Sequence, residues 1–579
     1  MKIPIKIHLT CSLLFCVCAS APVAAQEPFH PPLRADDNLG VTPQSAAAFD
    51  AFHTAMGLSE LRHSERSTLF PFFNGPAVFP SEFRSIDGSG NNETDLLRGA
   101  ADIPLLRISP VGYADGVGTP GGVGQKSPRE ISNLVVAQAA PIPNTKNASD
   151  YLWQWGQFLD HDMSLTPVAT PAQNFVIPVP LGDPVFDPTG TGTKSLGFKR
   201  SLFVLVNNVR QQVNVNTAYI DASQVYGSDE ARAQELRMLD GSGKLKSSAN
   251  NLLPFNLNGF DNQPDTTSAF FLTGDVRANE TTGLTVLQTL FMREHNFWAD
   301  SFKNADPTLD DDGIYFRARA MVGAEIEVIT YRDFIPLLLG ANALTPYAGY
   351  NPDVDPGIAN EFSTAAFRVG HTMLSEQLLR FDANGVSIGD LNLHDTHFSP
   401  STITGPGIEP YLRGLAKQPA QQVDAFIVDE MRNFLFGPAS GFDLAALNMQ
   451  RGRDHGLPRY NQVRIAYGLA PITSFRQITR DTSLQAKLAS AYATPDDIDI
   501  WVGALAEKHM TGKMVGETIF TILKDQFERL RDGDRFWYQS YLDAATVQSL
   551  EATTLANIIR RNTPITTELQ PNVFRVPRN

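Results

Sequence analysis

Trp155-Gly156-Gln157-Phe158-Leu159-Asp160-His161-Asp162 sets an amide, a carboxylate and an imidazole on one face of a helix. At about 3.6 residues per turn, Gln157, Asp160 and His161 stand at i, i+3 and i+4 and point the same way, while Asp162 projects elsewhere. Trp153, Trp155 and Phe158 mark the segment as fit for burial. Polar groups there are costly unless each finds a partner or a ligand. The face predicts a bound group lying over it.

Outward from this helix the pattern stays helical. Apolar spacing predicts helices at 151–162, 284–304, 314–334, 361–379, 420–435, 496–507 and 516–531. Strand signals are confined to 202–206 and 212–220, where β-branched residues alternate. Breaker-rich stretches at 109–124 and 167–192 read as long loops, which in a compact domain are usually functional. The expected fold is mainly α, a single large helical domain with very little β-structure.

The 579 residues carry a formal net charge of -15. That argues against nucleic acid and against an anionic membrane surface as partners. Residues 1–25 read as a secretory signal: Lys2 and Lys6 are basic, 9–21 is mainly apolar, and Val23-Ala24-Ala25 precedes a cut at Gln26. The expectation is a secreted or extracellular protein, or a periplasmic one, of bacterial type. Cys11, Cys16 and Cys18, the three cysteines of the chain, all fall inside that segment. The processed chain then has no disulfide and no thioether-linked cofactor. Residues 26–62, rich in Pro and Ala, read as an N-terminal extension, and 63–579 as the remaining domain. No later apolar run reaches the roughly 20 residues that span a bilayer.

Thr217-Ala218-Tyr219-Ile220-Asp221-Ala222-Ser223 presents oxygen groups at alternate positions, as loops that bind hard cations do, although an ordinary Asp/Ser turn reads the same way. His295, His455 and the pair His394 and His397 are further histidines. The first two read as structural, hydrogen-bonded rings. The pair, lacking a third ligand nearby, reads as part of a solvated loop.

Three more segments stand out: Thr273-Gly274-Asp275-Val276-Arg277-Ala278-Asn279-Glu280, Phe367-Arg368-Val369-Gly370-His371-Thr372, and Leu447-Asn448-Met449-Gln450-Arg451-Gly452-Arg453-Asp454-His455-Gly456. With the opening motif, their order and wording resemble the animal-type haem peroxidases of the peroxidase-cyclooxygenase superfamily. The resemblance runs from Phe83-Arg84-Ser85-Ile86-Asp87-Gly88 through Ser127-Pro128-Arg129-Glu130 to Arg531-Asp532-Gly533-Asp534-Arg535-Phe536-Trp537 and covers most of the processed chain.

The resemblance implies haem b as cofactor, with His161 as distal histidine, Arg277 as distal arginine and His371 as proximal iron ligand. Asn448 is implied as the partner of His371, its side-chain oxygen accepting the Nδ1 proton. His161 can move a proton between peroxide oxygens, Arg277 can stabilise developing charge, and Gln157 can orient peroxide, water or a halide. Gly370 removes bulk beside His371, consistent with close approach to a flat macrocycle. Arg368, three residues before His371, is implied to pair with a carboxylate or a haem propionate.

Asp160 and Glu280 match the two carboxylates that become esterified to haem in this family. Asp162 joins Thr217, Tyr219 through its carbonyl, Asp221 and Ser223 in the implied Ca2+ site. One departure bears on chemistry: after Glu280, where some members carry a methionine in sulfonium linkage to haem, this chain has Thr281.

The expected function is a secreted haem peroxidase that uses hydrogen peroxide to oxidise bromide, iodide or thiocyanate in preference to chloride, and small phenols. Two alternatives compete. A fatty-acid dioxygenase of the same superfamily needs a tyrosine three residues before the proximal histidine, a position held here by Arg368. A noncatalytic adhesion module would have dispensed with His161, Arg277 or His371.

Overall fold

The computed structural model describes residues 79, 82–437 and 441–577. The signal segment, the extension and the boundary at 63 lie outside the described residues.

The fold is mainly α. Helix α1 (Tyr151–Met163) carries the opening motif and buries all of its apolar side. Its aromatic face packs on α2 (Thr282–Ala305) through Phe158 stacked on Phe291 at 5.0 Å and Trp155 tilted against Phe291 at 5.7 Å. Ser164, in extended conformation, ends α1 while its N–H still reaches the Asp160 carbonyl. Thr281 caps α2 by accepting the Leu284 N–H, and Asp310 caps α3 (Asp311–Ile329) by accepting that of Gly313. The short connection between α2 and α3 makes them neighbours.

The pattern at 314–334 predicts one helix, but the last turn widens into a π-helical segment, Thr330–Phe334. There Thr330 Oγ1 accepts the Trp155 indole N–H at 3.1 Å, tying the π turn to α1. The expected helix at 361–379 is not formed. A short α turn, Asn360–Thr364, gives way to a 3-10 helix, Ala366–Thr372, and then to a strand, Gln377–Leu378. Thr364, Val369, Gly370 and Thr372 are weak helix formers, and the tighter 3-10 repeat places Arg368 and His371 directly in line. Of 420–435 only Asp429–Arg432 is helical, because Gln421 and Ile427 bridge in extended form to Pro143 and Ala137.

Helix α4 (Leu444–Asp454) escapes the apolar pattern because its second half is polar. Asp443 caps it by accepting the Ala446 N–H at 3.0 Å. Helix α5 (Glu517–Asp532) packs beneath the 3-10 segment. The largest sheet has three short strands, β1 (Ile103–Pro104), β2 (Phe203–Val206) and β3 (Val209–Asn214), in antiparallel order β1-β3-β2. Asn207 and Asn208, both at positive φ (50° and 63°), make the β2–β3 turn, with Phe203 opposite Gln212. The strand expected over 212–220 ends at Asn214, after which the chain turns into the Thr217–Ser223 loop. Among the described residues no helix is long and apolar enough to cross a membrane.

Candidate active site

One cavity lies between α1 and the 3-10 segment. Gln157, Asp160, His161, Arg277 and Glu280 form one wall, and Phe367, Arg368, Gly370 and His371 the other. Asn448, on α4, is fully buried behind His371. Segments more than 200 residues apart in sequence thus meet around one space.

On the first wall Arg277 is fixed by a residue only two positions earlier. Asp275 Oδ1 accepts from Arg277 Nε at 2.9 Å and Oδ2 from Nη2 at 2.8 Å, while Ser164 O accepts from Nη2 at 2.8 Å. Nη1 is left facing Asp160 Oδ2 at 3.6 Å. Burial works against the guanidinium charge, yet Asp275, with Asp160 and Glu280, raises the Arg277 pKa overall. The Asp275 carboxyl, which burial would raise, is drawn down to about 2 by Arg277 and His161. The His161 ring stands between carboxylates, Nδ1 at 3.6 Å from Asp275 and Nε2 at 3.4 Å from Glu280, and Nδ1 makes no hydrogen bond among the described residues. Gln157 Oε1 accepts from Gln154 Nε2 at 2.9 Å and from Thr281 Oγ1 at 3.2 Å. Asp160 Oδ1 accepts from Ser164 Oγ at 3.0 Å.

On the second wall burial, reinforced by the Arg368 charge, pushes the His371 imidazole down to about 3, so the ring is neutral. Asn448 contacts it, but through the other end of the amide from the one expected. Asn448 Nδ2 faces His371 Nδ1 at 2.8 Å, and Oδ1 accepts from Arg368 Nη1 at 2.8 Å. The cause is Arg368, which has only donors and therefore takes the oxygen. Burial lowers Arg368 itself to about 10.

Asp162 leaves the opposite side of α1. Its Oδ1 accepts the Ser223 N–H at 2.6 Å and its Oδ2 the Ala222 N–H at 3.2 Å, while Ser223 Oγ donates to its carbonyl at 2.6 Å. Thr217 Oγ1 donates to Asp221 Oδ1 at 3.0 Å, and Arg319 to Asp221 Oδ2 at 3.2 Å. The Tyr219 ring is buried, with its hydroxyl on the Arg98 carbonyl at 2.7 Å. Burial pushes both carboxyls up, and the Asp221 charge raises Asp162 further. Two buried carboxylates among hydroxyl and carbonyl oxygens suit a hard cation.

The residues of the cavity also fit haem. A Cβ built on Gly370 would meet nothing within 4 Å, and its φ is not positive, so neither packing nor backbone conformation calls for glycine there. What the glycine keeps clear is cavity space beside a neutral imidazole, the form in which histidine binds a metal. The His161 edge that bears Nε2, beside Glu280, and the Arg277 Nη1 edge supply polar groups on the facing wall.

Two histidines follow the reading from sequence. His295 bonds Tyr226 and Gly243, and His455 bonds Ser201, Asn360 and Thr364. His397 does not, because it is 7% exposed and lines the cavity rather than a solvated loop. His394 alone is peripheral, paired with Glu430. Asp275 was the other functional candidate passed over, although a carboxylate two residues before an arginine in a Gly-Asp-Val-Arg turn was the available signal.

A mainly helical fold with two histidines on facing walls of one cavity fits a class, the helical haem peroxidases. The Animal haem peroxidase family model matches residues 83–574, and the chain belongs to that family. It is 37% identical to human eosinophil peroxidase over 554 residues, covering 85% of this chain and 76% of that protein. Among solved structures, Peroxidase A from Dictyostelium discoideum superposes with a TM-score of 0.79 at 34% identity, covering 86% of this chain and all of the other. A fatty acid alpha-dioxygenase from Arabidopsis thaliana, with a TM-score of 0.73 at 22% identity and coverage of 85% and 83%, shares the fold.

Proposed function

We propose that this haem peroxidase is exported and uses hydrogen peroxide to oxidise bromide, iodide, thiocyanate and small phenols in preference to chloride. The observation that carries the reading is the pairing across one cavity of His161 and a clamped Arg277 with a neutral, buried His371.

Haem, when bound, supplies the redox chemistry that reduces peroxide and withdraws electrons from the donor. His371 would hold the iron through Nε2, which requires its proton on Nδ1 and so the Asn448 amide turned to offer its oxygen there, with Arg368 beside it. His161 takes a proton from one peroxide oxygen and returns it to the other. Arg277 directs Nη1 at the charge that develops as the O–O bond breaks. Gln157, held by Gln154 and Thr281, orients water, peroxide or a halide. Asp160 and Glu280 flank the cavity as the ester-forming carboxylates. Asp162, Thr217, the Tyr219 carbonyl, Asp221 and Ser223 hold Ca2+ and pin α1 to the loop behind it.

Thr281 sets the donor range. Without a sulfur at that position no sulfonium bond withdraws electrons from the haem, so donors harder to oxidise than bromide are disfavoured. Steady-state peroxide turnover of the haem-loaded protein with chloride, bromide, iodide, thiocyanate and a phenol tests this. Bromide activity well above chloride is expected, and equal chloride activity would overturn the argument from Thr281. Oxygen uptake with linoleate in place of peroxide turnover would revive the dioxygenase reading that Arg368 argues against.

A further inference from the structure

Of the histidines that line the cavity, His161 and His371 have tasks in the reaction above and His455 is held by Ser201, Asn360 and Thr364, whereas His397 has neither a task nor such bonds at Nδ1. Its position is built rather than incidental. On one side of it Thr282 Oγ1 donates to the Thr396 carbonyl at 3.1 Å, and on the other the Phe398 N–H donates to the Asn279 carbonyl at 3.0 Å. Two hydrogen bonds therefore stitch the segment to the residues that bracket Glu280. Phe398 holds a positive φ of 50°, a costly conformation for an aromatic residue, and Phe436 another of 63°. These backbone turns bring an aromatic wall to the imidazole: Phe436 lies edge-on at 5.2 Å from the His397 ring and 6.0 Å from Phe442. His397, Phe436 and Phe442 all line the cavity.

The ring is buried, and its Nδ1 has no hydrogen-bond partner among the described residues. Nδ1 itself has no accessible surface, so a ligand in the cavity meets the ring at the edge that lines it. The groups that face the ring are Glu280 from the segment before α2, and His394, itself paired with Glu430, from its own loop. Further round the cavity are Asp160, His161, Arg277 and Arg368. Burial lowers the His397 pKa below its ordinary 6.5, although Glu280 and the carbonyls of His394 and Leu393 act the other way. Esterification of Glu280 would remove the largest of those opposing influences. The imidazole is thus a neutral acceptor at neutral pH.

We propose that His397 accepts the hydroxyl of a phenolic electron donor seated against Phe436 and Phe442, and takes its proton as the donor is oxidised. This deepens the reading given above and rests on it. The step balances: the phenolic O–H bond breaks, the proton passes to the His397 imidazole, and one electron passes to the centre oxidised by peroxide. A phenoxyl radical remains, and a second phenol supplies the second electron for the reduction of peroxide to water. Inorganic anions, which carry no proton to lose, gain nothing from this base. His397 therefore biases the enzyme toward protic aromatic donors.

The test uses the haem-loaded full chain, 4-methylphenol and iodide. In His397→Phe the ratio of kcat/KM for 4-methylphenol to that for iodide is expected to fall at least about 10-fold. Calorimetric titration of 4-methylphenol into the resting protein, without peroxide, should show Kd rising about 5-fold. His397→Gln keeps an acceptor but cannot be protonated, so it should retain binding without the weakening expected of wild type as pH falls through the His397 pKa, which burial holds below 6.5. An unchanged ratio and Kd in His397→Phe, or an acid limb that persists in His397→Gln, would overturn the proposal. A wild type that oxidises neither donor would instead sink the donor reading on which it rests.

Discussion

Asp275 holds Arg277 through both carboxylate oxygens, a bidentate clamp closed within three residues of chain. The clamp uses Nε and Nη2 and leaves Nη1 for the cavity, so a flexible side chain is spent on a single direction. Asp275→Asn keeps the shape but places a donor against donors. The expected result is a 10- to 100-fold slower reaction with peroxide, about 1.4 to 2.7 kcal/mol of transition-state stabilisation. Stopped-flow mixing of the haem-loaded variant with peroxide measures it, and a wild-type rate would show that the clamp is irrelevant. Because the Asp275 carboxyl sits at about 2, below its ordinary 3.8, its contribution to stability is complete above 3.8 and is lost only as pH falls through about 2.

Thr281 has two tasks, capping α2 at Leu284 and holding Gln157. Thr281→Met removes both. Loss of the cap should cost about 1 kcal/mol, seen as a lower midpoint in urea. Gln157 loses one of its two partners, and bromide turnover should fall. If the new sulfur bonds haem, mass spectrometry will find haem attached at position 281 and chloride turnover should rise with it. Attachment without any gain in chloride turnover would contradict the account of donor range.

The motif on α1 could be read because its geometry is local: three polar residues on one face need only the helix repeat. The 217–223 loop and the second wall were legible as patterns of residue types, yet their conformations were not. The 361–379 pattern predicts a helix, but the 3-10 turn that aligns Arg368 with His371 is stabilised by packing on α1 and α5. The orientation of Asn448 depends on Arg368, 80 residues away. His397 was misread for the same reason. Its burial comes with bonds that its neighbours Phe398 and Thr396 make to Asn279 and Thr282, more than 100 residues earlier, which no local pattern reveals. Helix α4 was missed because its polar half faces buried partners such as the Phe175 carbonyl and Asp499 instead of an apolar core.

Asp162 and Asp221 share a buried pocket in which each raises the cost of the other's charge. A bound Ca2+ would reverse that cost, so its removal should destabilise the chain and loosen α1 next to His161. Treatment with EGTA is expected to lower Tm by several degrees, with recovery on adding back Ca2+ but not Mg2+, which demands a tighter octahedral shell. Asp162→Ala should abolish the response. Elemental analysis finding no calcium in protein purified without chelator, together with a Tm indifferent to EGTA, would remove the site.

Far from the cavity, Arg561 on the C-terminal helix Leu555–Asn562 reaches two buried carboxylates, Glu294 on α2 and Glu325 on α3. One cation cannot neutralise both. Burial, and then the charge of Glu294, push the Glu325 carboxyl well above its ordinary 4.5, with Arg561 only partly offsetting them. A carboxyl raised in the folded state binds a proton that the unfolded chain releases. Its contribution to stability is therefore complete below 4.5 and is lost as pH rises through the folded value. Thermal unfolding followed from pH 5 to 9 should show stability declining on the alkaline side. Glu325→Gln, which mimics the protonated carboxyl, should flatten that decline, whereas Arg561→Ala should destabilise at every pH by about 3 to 5 kcal/mol, because it strands the pair without a counter-charge. An identical pH profile in wild type and Glu325→Gln would mean that the proton shared by these carboxylates has no part in holding the C-terminal helix on α2 and α3.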